Sequence, residues 1–233
     1  MDWLMLFARH PVIPSLWHDQ EIEKLPPQAA VVLISRASLF DLPALVARLK
    51  HLERRVLVQV DLLEGYGKDR TVVEYLARGL KVDGIITPNA GLIEAARREK
   101  ILAVQRMFLH DSAALEKGLR VVKGSRADFL ELLPGPLVPE VLPLVHQEVS
   151  LPVMAAGFIR TVPQARAILA AGAVAVDTSC QALWWLTSAD LNLRGGQDER
   201  QFPSYEGIRE NTANTKSKKK FDPNGTGIRR QEK

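Results

Sequence analysis

The chain has 233 residues, a length that one large α/β domain can fill, with 46% apolar and 25% charged residues, an ordinary globular balance that excludes collagen-like, coiled-coil and wholly disordered chains. Its longest N-terminal apolar run, Trp3 to Phe7, is far short of the roughly 20 residues that cross a bilayer, and it lacks the flanks of a signal peptide. One cysteine, Cys180, excludes an internal disulfide, and no Cys/His cluster has zinc-site spacing, so the expectation is a cytoplasmic protein without a membrane partner.

The formal charge of +4 is unevenly placed. Ten Lys/Arg and six Asp/Glu lie from Arg194 onward, which leaves twenty-one of each sign before it. The stretch 194–233 holds Gly195-Gly196, the Asn/Thr-rich run Asn211 to Thr215 and the bases Lys216, Lys218, Lys219 and Lys220, with almost no apolar periodicity. The expectation is a neutral folded domain over 1–193 and a disordered basic tail over 194–233.

Within the domain a unit recurs about every 22 residues: a short apolar run, a polar turn, then a helix-period stretch charged on one face. The runs are Val12–Leu16, Ala30–Ser35, Val56–Leu62, Gly84–Pro88, Leu102–Phe108, Phe129–Pro134, Pro152–Gly157 and Ala173–Ser179. Helix starts are marked by Ser38 with Asp41 before Leu42, by Asp111-Ser112 before Ala113, and by Pro163 after Thr161. Eight apolar strands joined by helical crossovers imply a compact (β/α)8 TIM-type barrel; an open flavodoxin-like sheet is the alternative.

Barrels build their sites from the segments that follow each strand. The last two such segments carry the best chemical signal. Gly157 lets a ligand approach the backbone, and Thr178-Ser179 place two hydroxyls ahead of an expected helix, at the strand ends where barrel phosphates commonly sit. A tight turn at Gly157 and a helix cap at Thr178 are the plain structural alternatives.

Several blocks occur in one order: Val58 to Gly65, Asp83-Gly84-Ile85-Ile86-Thr87, Gln105 to Ser112, Glu131-Leu132-Leu133-Pro134-Gly135, and Ala173 to Val176 with Thr178-Ser179. Together, over roughly Pro11 to Trp184, they resemble the glycerol-3-phosphate responsive antiterminators of glycerol uptake operons. The resemblance implies a regulator on a (β/α)8 barrel, with no enzymatic activity and no cofactor, that binds the effector glycerol 3-phosphate and acts on leader mRNA to prevent termination. The chain departs from the family pattern in three places. It has Ala156-Gly157 where a paired glycine is usual, Asp177 where a serine is usual, and Leu16-Trp17 where a basic residue typically follows the first strand.

The expected ligand set is Asp61, Glu64, Lys68, Arg106, Glu131, Gly157, Asp177, Thr178 and Ser179. Asp61, Glu64 and Glu131 would accept from glycerol hydroxyls; internal salt bridges, a divalent cation or acid/base work are the other roles open to them. Lys68 and Arg70, at the start of a helix, call for an anion or for Glu64 or Glu74 nearby. Arg106 could reach the phosphate or pair with Glu131. Asp177 could point into the barrel beside Arg106, or toward the phosphate, where its carboxylate would repel; the second placement is the expectation. Cys180 should begin the final helix as a small buried residue.

Basic residues recur on the opposite face at Arg54, Arg55, Arg98, Lys100, Lys123 and Arg126. Helix C-termini favour cations, and the same ring, with Lys218, Lys219 and Lys220 of the tail, could meet RNA phosphates. The rival functions are a phosphate-binding barrel enzyme using Asp61 and Glu131, and a sensor of another phosphorylated metabolite; a homo-oligomer is open.

Overall fold

A computed structural model describes residues 2–192, so the expected tail, with Lys218, Lys219 and Lys220, lies outside the described residues. Eight parallel strands close into a barrel: β1 Val12–Leu16, β2 Val31–Ile34, β3 Arg55–Gln59, β4 Gly84–Thr87, β5 Leu102–Phe108, β6 Phe129–Leu133, β7 Val153–Ala156 and β8 Ala175–Thr178. Neighbours in sequence are neighbours in space, and β8 closes on β1 through Val12 opposite Val176. Each strand falls on one of the eight apolar runs, six of them to within a residue at both ends; the run Val56–Leu62 continues beyond β3 into a 3-10 turn over Val60–Leu62, and the run Ala173–Ser179 begins two residues before β8.

The helices are α1 Trp3–Arg9, α2 Leu42–His51, α3 Arg70–Glu74 (continued by a π-turn over Tyr75–Gly79), α4 Ala90–Arg98, α5 Ser112–Gly124, α6 Val138–Glu148 and α7 Val162–Ala170. Their starts follow local chemistry. The Asp111 carboxylate accepts from the Ala114 amide at 2.7 Å, and Thr161 forms a capping box with Gln164 ahead of Pro163. The strict βα repeat fails at both ends: β1 is followed by a 3-10 helix over Asp19–Lys24, and β8 only by a three-residue 3-10 turn, Gln181–Leu183. Cys180 therefore caps a 3-10 turn, half-buried, instead of starting a long helix.

Helix α1 gives the Trp3–Phe7 run its role. Trp3 and Phe7 are buried, and Phe7 meets Phe129 edge to face with ring centroids 5.5 Å apart. The same cluster holds Ile13, Leu33, Leu57 and Val104, so α1 plugs the barrel at the N-terminal ends of its strands. Among the described residues no helix is long and apolar enough to cross a membrane.

Strand side chains alternate between the barrel interior and the surrounding helices. Ile13, Leu33, Leu57, Val104, Phe129, Met154 and Ala175 belong to the inner cluster, whereas Val32, Val58, Ala103, Leu130 and Val176 pack outward with the helices. Two residues further along the same inward rows the interior turns polar: Ser15, Ser35, Gln59, Arg106, Glu131 and Asp177, all buried. Plug below and polar layer above leave one end of the barrel open to chemistry.

Candidate ligand-binding site

The polar layer is centred on Arg106. Arg106 on β5 and Glu131 on β6 are register partners, and the guanidinium Nε donates to Glu131 Oε2. Arg106 is 6% exposed and Glu131 0%, so this ion pair is sealed from water. Burial works against the charge of Arg106, but Glu131, with Asp177 and Asp61, outweighs it and holds the guanidinium above its usual range. Asp177 lies opposite Ala156 in the β7–β8 register, and the small Ala156 side chain stands between β8 and the Glu131 strand. Burial, and then the neighbouring Glu131, push the Asp177 carboxyl well above the ordinary carboxylate range.

Above this layer opens a cavity of about 500 Å³ at the C-terminal mouth, of a size suited to a small ligand. Ser15, Ser35, Gln59, Arg106 and Asp177 line its floor; Gly157, Phe158, Arg160, Ser179 and Trp17 line its rim. The Ser15 and Ser35 hydroxyls are hydrogen-bonded at 2.6 Å. At the rim, Gly157 (φ +73°) and Phe158 (φ +59°) are two consecutive left-handed residues. Phe158 accepts this conformation while 71% exposed, so packing does not hold it there. The turn is tied to the preceding loop by the Gly135 amide, which donates to the Gly157 carbonyl at 3.0 Å. The Arg160 guanidinium has no ion-pair partner among the described residues.

The expected residues divide cleanly. Arg106, Gly157, Asp177, Thr178 and Ser179 line this cavity; Glu131 lies beneath it, buried against Arg106. Asp61 is half-buried close enough to Arg106 to raise its pKa, and does not line the cavity. Glu64 does not belong to the cavity: a two-residue ladder, Ala37–Ser38 with Leu63–Glu64, carries it outward to pair with Arg36 (Nε to Oε1, 2.7 Å) beside a neighbouring pocket of about 390 Å³. Lys68 is exposed and lines neither cavity, and Arg70 pairs with Glu74 at 3.0 Å. Strand alternation sends Asp177 inward with Ala175, toward Arg106 and Glu131, on the floor of the cavity, as in the first of its two placements.

Thr178 plays a positioning part. Its hydroxyl donates to the Ile159 carbonyl (2.6 Å) and accepts from the Cys180 amide (3.0 Å), while its own carbonyl accepts from Trp184 Nε1 (2.7 Å). It fastens the β8 loop to the β7 loop, so Ser179 and the Gly157 turn share one edge of the cavity. Thr178→Val leaves a buried carbonyl and an amide without a partner and is expected to cost about 1–3 kcal/mol of stability, read from the shift of the urea midpoint.

Ser15, Ser35, Gln59, Trp17, Phe158 and Arg160 line the cavity without belonging to the expected ligand set. The three floor residues were accessible to period-two counting along β1, β2 and β3. The other three are loop residues whose direction no periodicity specifies.

The opposite face holds fewer unpaired cations than its sequence shows. Arg55 (2.8 Å) and Lys50 both bind Asp83, Arg98 binds Glu94 at 2.6 Å, Lys123 binds Glu148, and Arg54 donates to the Pro27 carbonyl at 2.6 Å. Lys100 and Arg126 are exposed without a salt bridge among the described residues.

Residues 12–184 match the family described as "Glycerol-3-phosphate responsive antiterminator". The chain is 33% identical to the glycerol uptake operon antiterminator regulatory protein from Listeria monocytogenes str. 4b F2365, with a TM-score of 0.71 over 74% of this chain and 94% of that one. A glycerol uptake operon antiterminator-related protein from Thermotoga maritima MSB8 is 29% identical, with a TM-score of 0.69 over 76% and 99% of the two chains. The uncharacterized protein YgcP of Escherichia coli (strain K12) is 28% identical over 187 residues, 80% of this chain and 97% of that protein. With the match running through all eight strands, this chain belongs to the glycerol-3-phosphate responsive antiterminator family.

Proposed function

We propose that this protein is a cytoplasmic receptor for glycerol 3-phosphate that, when loaded, acts on leader mRNA to prevent termination, without turning its ligand over. The observation that carries the ligand reading is the polarity gradient of the mouth cavity. Its rim offers the Gly157–Phe158 turn, Ser179 and Arg160, groups suited to a phosphate; its floor offers Ser15, Ser35, Gln59 and Asp177, groups suited to two hydroxyls. A small phosphorylated polyol satisfies both ends at once, whereas glycerol or phosphate alone satisfies one.

Calorimetric titration with glycerol 3-phosphate, glycerol and inorganic phosphate tests this. Glycerol 3-phosphate is expected to bind at least about a hundredfold more tightly than either part, a gap of about 2.7 kcal/mol. Equal affinity for phosphate alone would reduce the site to a general anion site, and consumption of glycerol 3-phosphate would bring back the barrel enzyme.

Leader RNA binding draws on Lys100 and Arg126 of the described barrel and on Lys218, Lys219 and Lys220 of the tail. Internal pairing offsets much of the charge of Arg55, Arg98 and Lys123, so these contribute less. Filter binding across a salt series should give a shallower slope for a chain ending at residue 193 than for the full chain, because fewer counterions are released. Identical slopes would remove the tail from the interface.

A further inference from the structure

Asp177 and Glu131 both turn into the polar layer of the barrel, and each is left with one buried carboxyl oxygen that no partner satisfies. Glu131 Oε2 accepts from Arg106, but Glu131 Oε1 and Asp177 Oδ2 are both buried, and no donor among the described residues reaches either. Both side chains belong to the same inward polar layer, on strands separated only by β7, where the small Ala156 stands. An ionised carboxylate only accepts, so a bond between them requires a proton on one. The charged groups around the pair are Arg106 from β5 and Asp61 from the loop after β3. Arg106 neutralises Glu131, whereas Asp177 has no cation in direct contact, so the proton rests on Asp177.

We propose that Asp177 is a neutral carboxylic acid donating to Glu131, and that this held proton makes the cavity floor compatible with an anionic ligand. Burial of the Asp177 carboxyl and its closeness to Glu131 act in the same direction. With Glu131 and Arg106 cancelling, a protonated Asp177 adds no charge to the cavity lining. An ionised Asp177 would place a full negative charge in the same small cavity as the phosphate. The acid's carbonyl oxygen then remains to accept from a ligand hydroxyl. A carboxyl at position 177 thus serves where a serine is usual, provided that it keeps its proton. The role in anion selection rests on the proposed function; the proton does not.

Infrared spectroscopy of the full chain at pH 7, with and without carboxyl-13C aspartate, tests the proton directly. A protonated-carboxyl carbonyl band is expected that shifts on 13C-aspartate labelling and disappears in Asp177→Asn. Absence of an aspartic-acid band overturns the proposal, whether or not the variant folds. Titration with glycerol 3-phosphate at pH 7 tests the consequence. Asp177→Asn, whose amide can still donate to Glu131, should not bind glycerol 3-phosphate more tightly than the wild type, because the substitution removes no charge from the floor. Tightening by tenfold or more would mean that Asp177 is ionised and overturns the proposal. If neither protein binds glycerol 3-phosphate, the functional reading fails and the infrared band alone decides the proton.

Discussion

Arg106→Ala is expected to cost about 3–5 kcal/mol of folding stability, because it strands the Glu131 carboxylate at 0% exposure without its counter-ion. For a domain of this size that corresponds to a drop in Tm of roughly 6–20 °C. A buried carboxylate deprived of its partner is neutralised by taking up a proton, so the loss should shrink as the pH falls and widen toward pH 8. The double variant Arg106→Met/Glu131→Gln should recover most of the loss: it removes both charges, and the carboxamide oxygen introduced at position 131 can still accept from Asp177. Thermal unfolding of the single and double variants at pH 5 and pH 8 measures both effects. A single variant with unchanged Tm at pH 8 would show that Glu131 is solvated or protonated in the native protein.

The wild-type pair is better seen as specification than as net stabilisation. Desolvating two charges consumes much of what their attraction returns. Register places Arg106 and Glu131 side by side on adjacent strands, at the level where the inward rows change from apolar to polar. The pair fixes the floor and leaves Arg106 in contact with the cavity. Asp177 reaches the same layer from the far side, across Ala156.

How much of this was legible in the sequence follows from which forces act locally. Strand positions were readable because parallel barrel strands are buried on both faces and so run as unbroken apolar segments, each long enough to stand out between polar helix faces. The Arg106–Glu131 pair was readable as one of two options, since neighbouring strand ends bring such residues together. Helix α1 was not: seven residues are too few for a periodicity signal, and only the open barrel end explains why Trp3 and Phe7 are buried. Glu64 was misplaced for a similar reason. Nothing in Asp61 to Gly65 announces that Leu63–Glu64 will form a side ladder with Ala37–Ser38 and leave the mouth. The orientation of Asp177 was within reach of strand alternation alone, for Ala175 two positions earlier faces inward. Two of the departures from the family pattern, Ala156 and Asp177, are register partners, a relation that no linear reading of one chain displays.

Gly157→Val should abolish glycerol 3-phosphate binding, a loss of at least about a hundredfold, or 2.7 kcal/mol, while unfolding stays cooperative. A Cβ at Gly157 would meet Leu133 Cδ2 at 3.4 Å and Cγ at 3.9 Å, ordinary contact, so space is not the obstacle. The obstacle is the backbone. At φ +73° an L side chain costs on the order of 1–2 kcal/mol, more when β-branched, and the next residue, Phe158, is already left-handed. Valine is therefore expected to pull the turn back toward negative φ, and the rim backbone that lines the cavity moves with it. Such a change also releases the Gly157 carbonyl from the Gly135 amide, so stability should fall by a further increment of about 1 kcal/mol, well below the loss in Arg106→Ala. Gly157→Ala, with the same φ demand but no branch, should bind with intermediate affinity. Calorimetry on the three proteins, with their thermal unfolding in parallel, separates a lost site from a lost fold. Valine at position 157 with wild-type affinity and a cooperative transition would move the phosphate away from this turn.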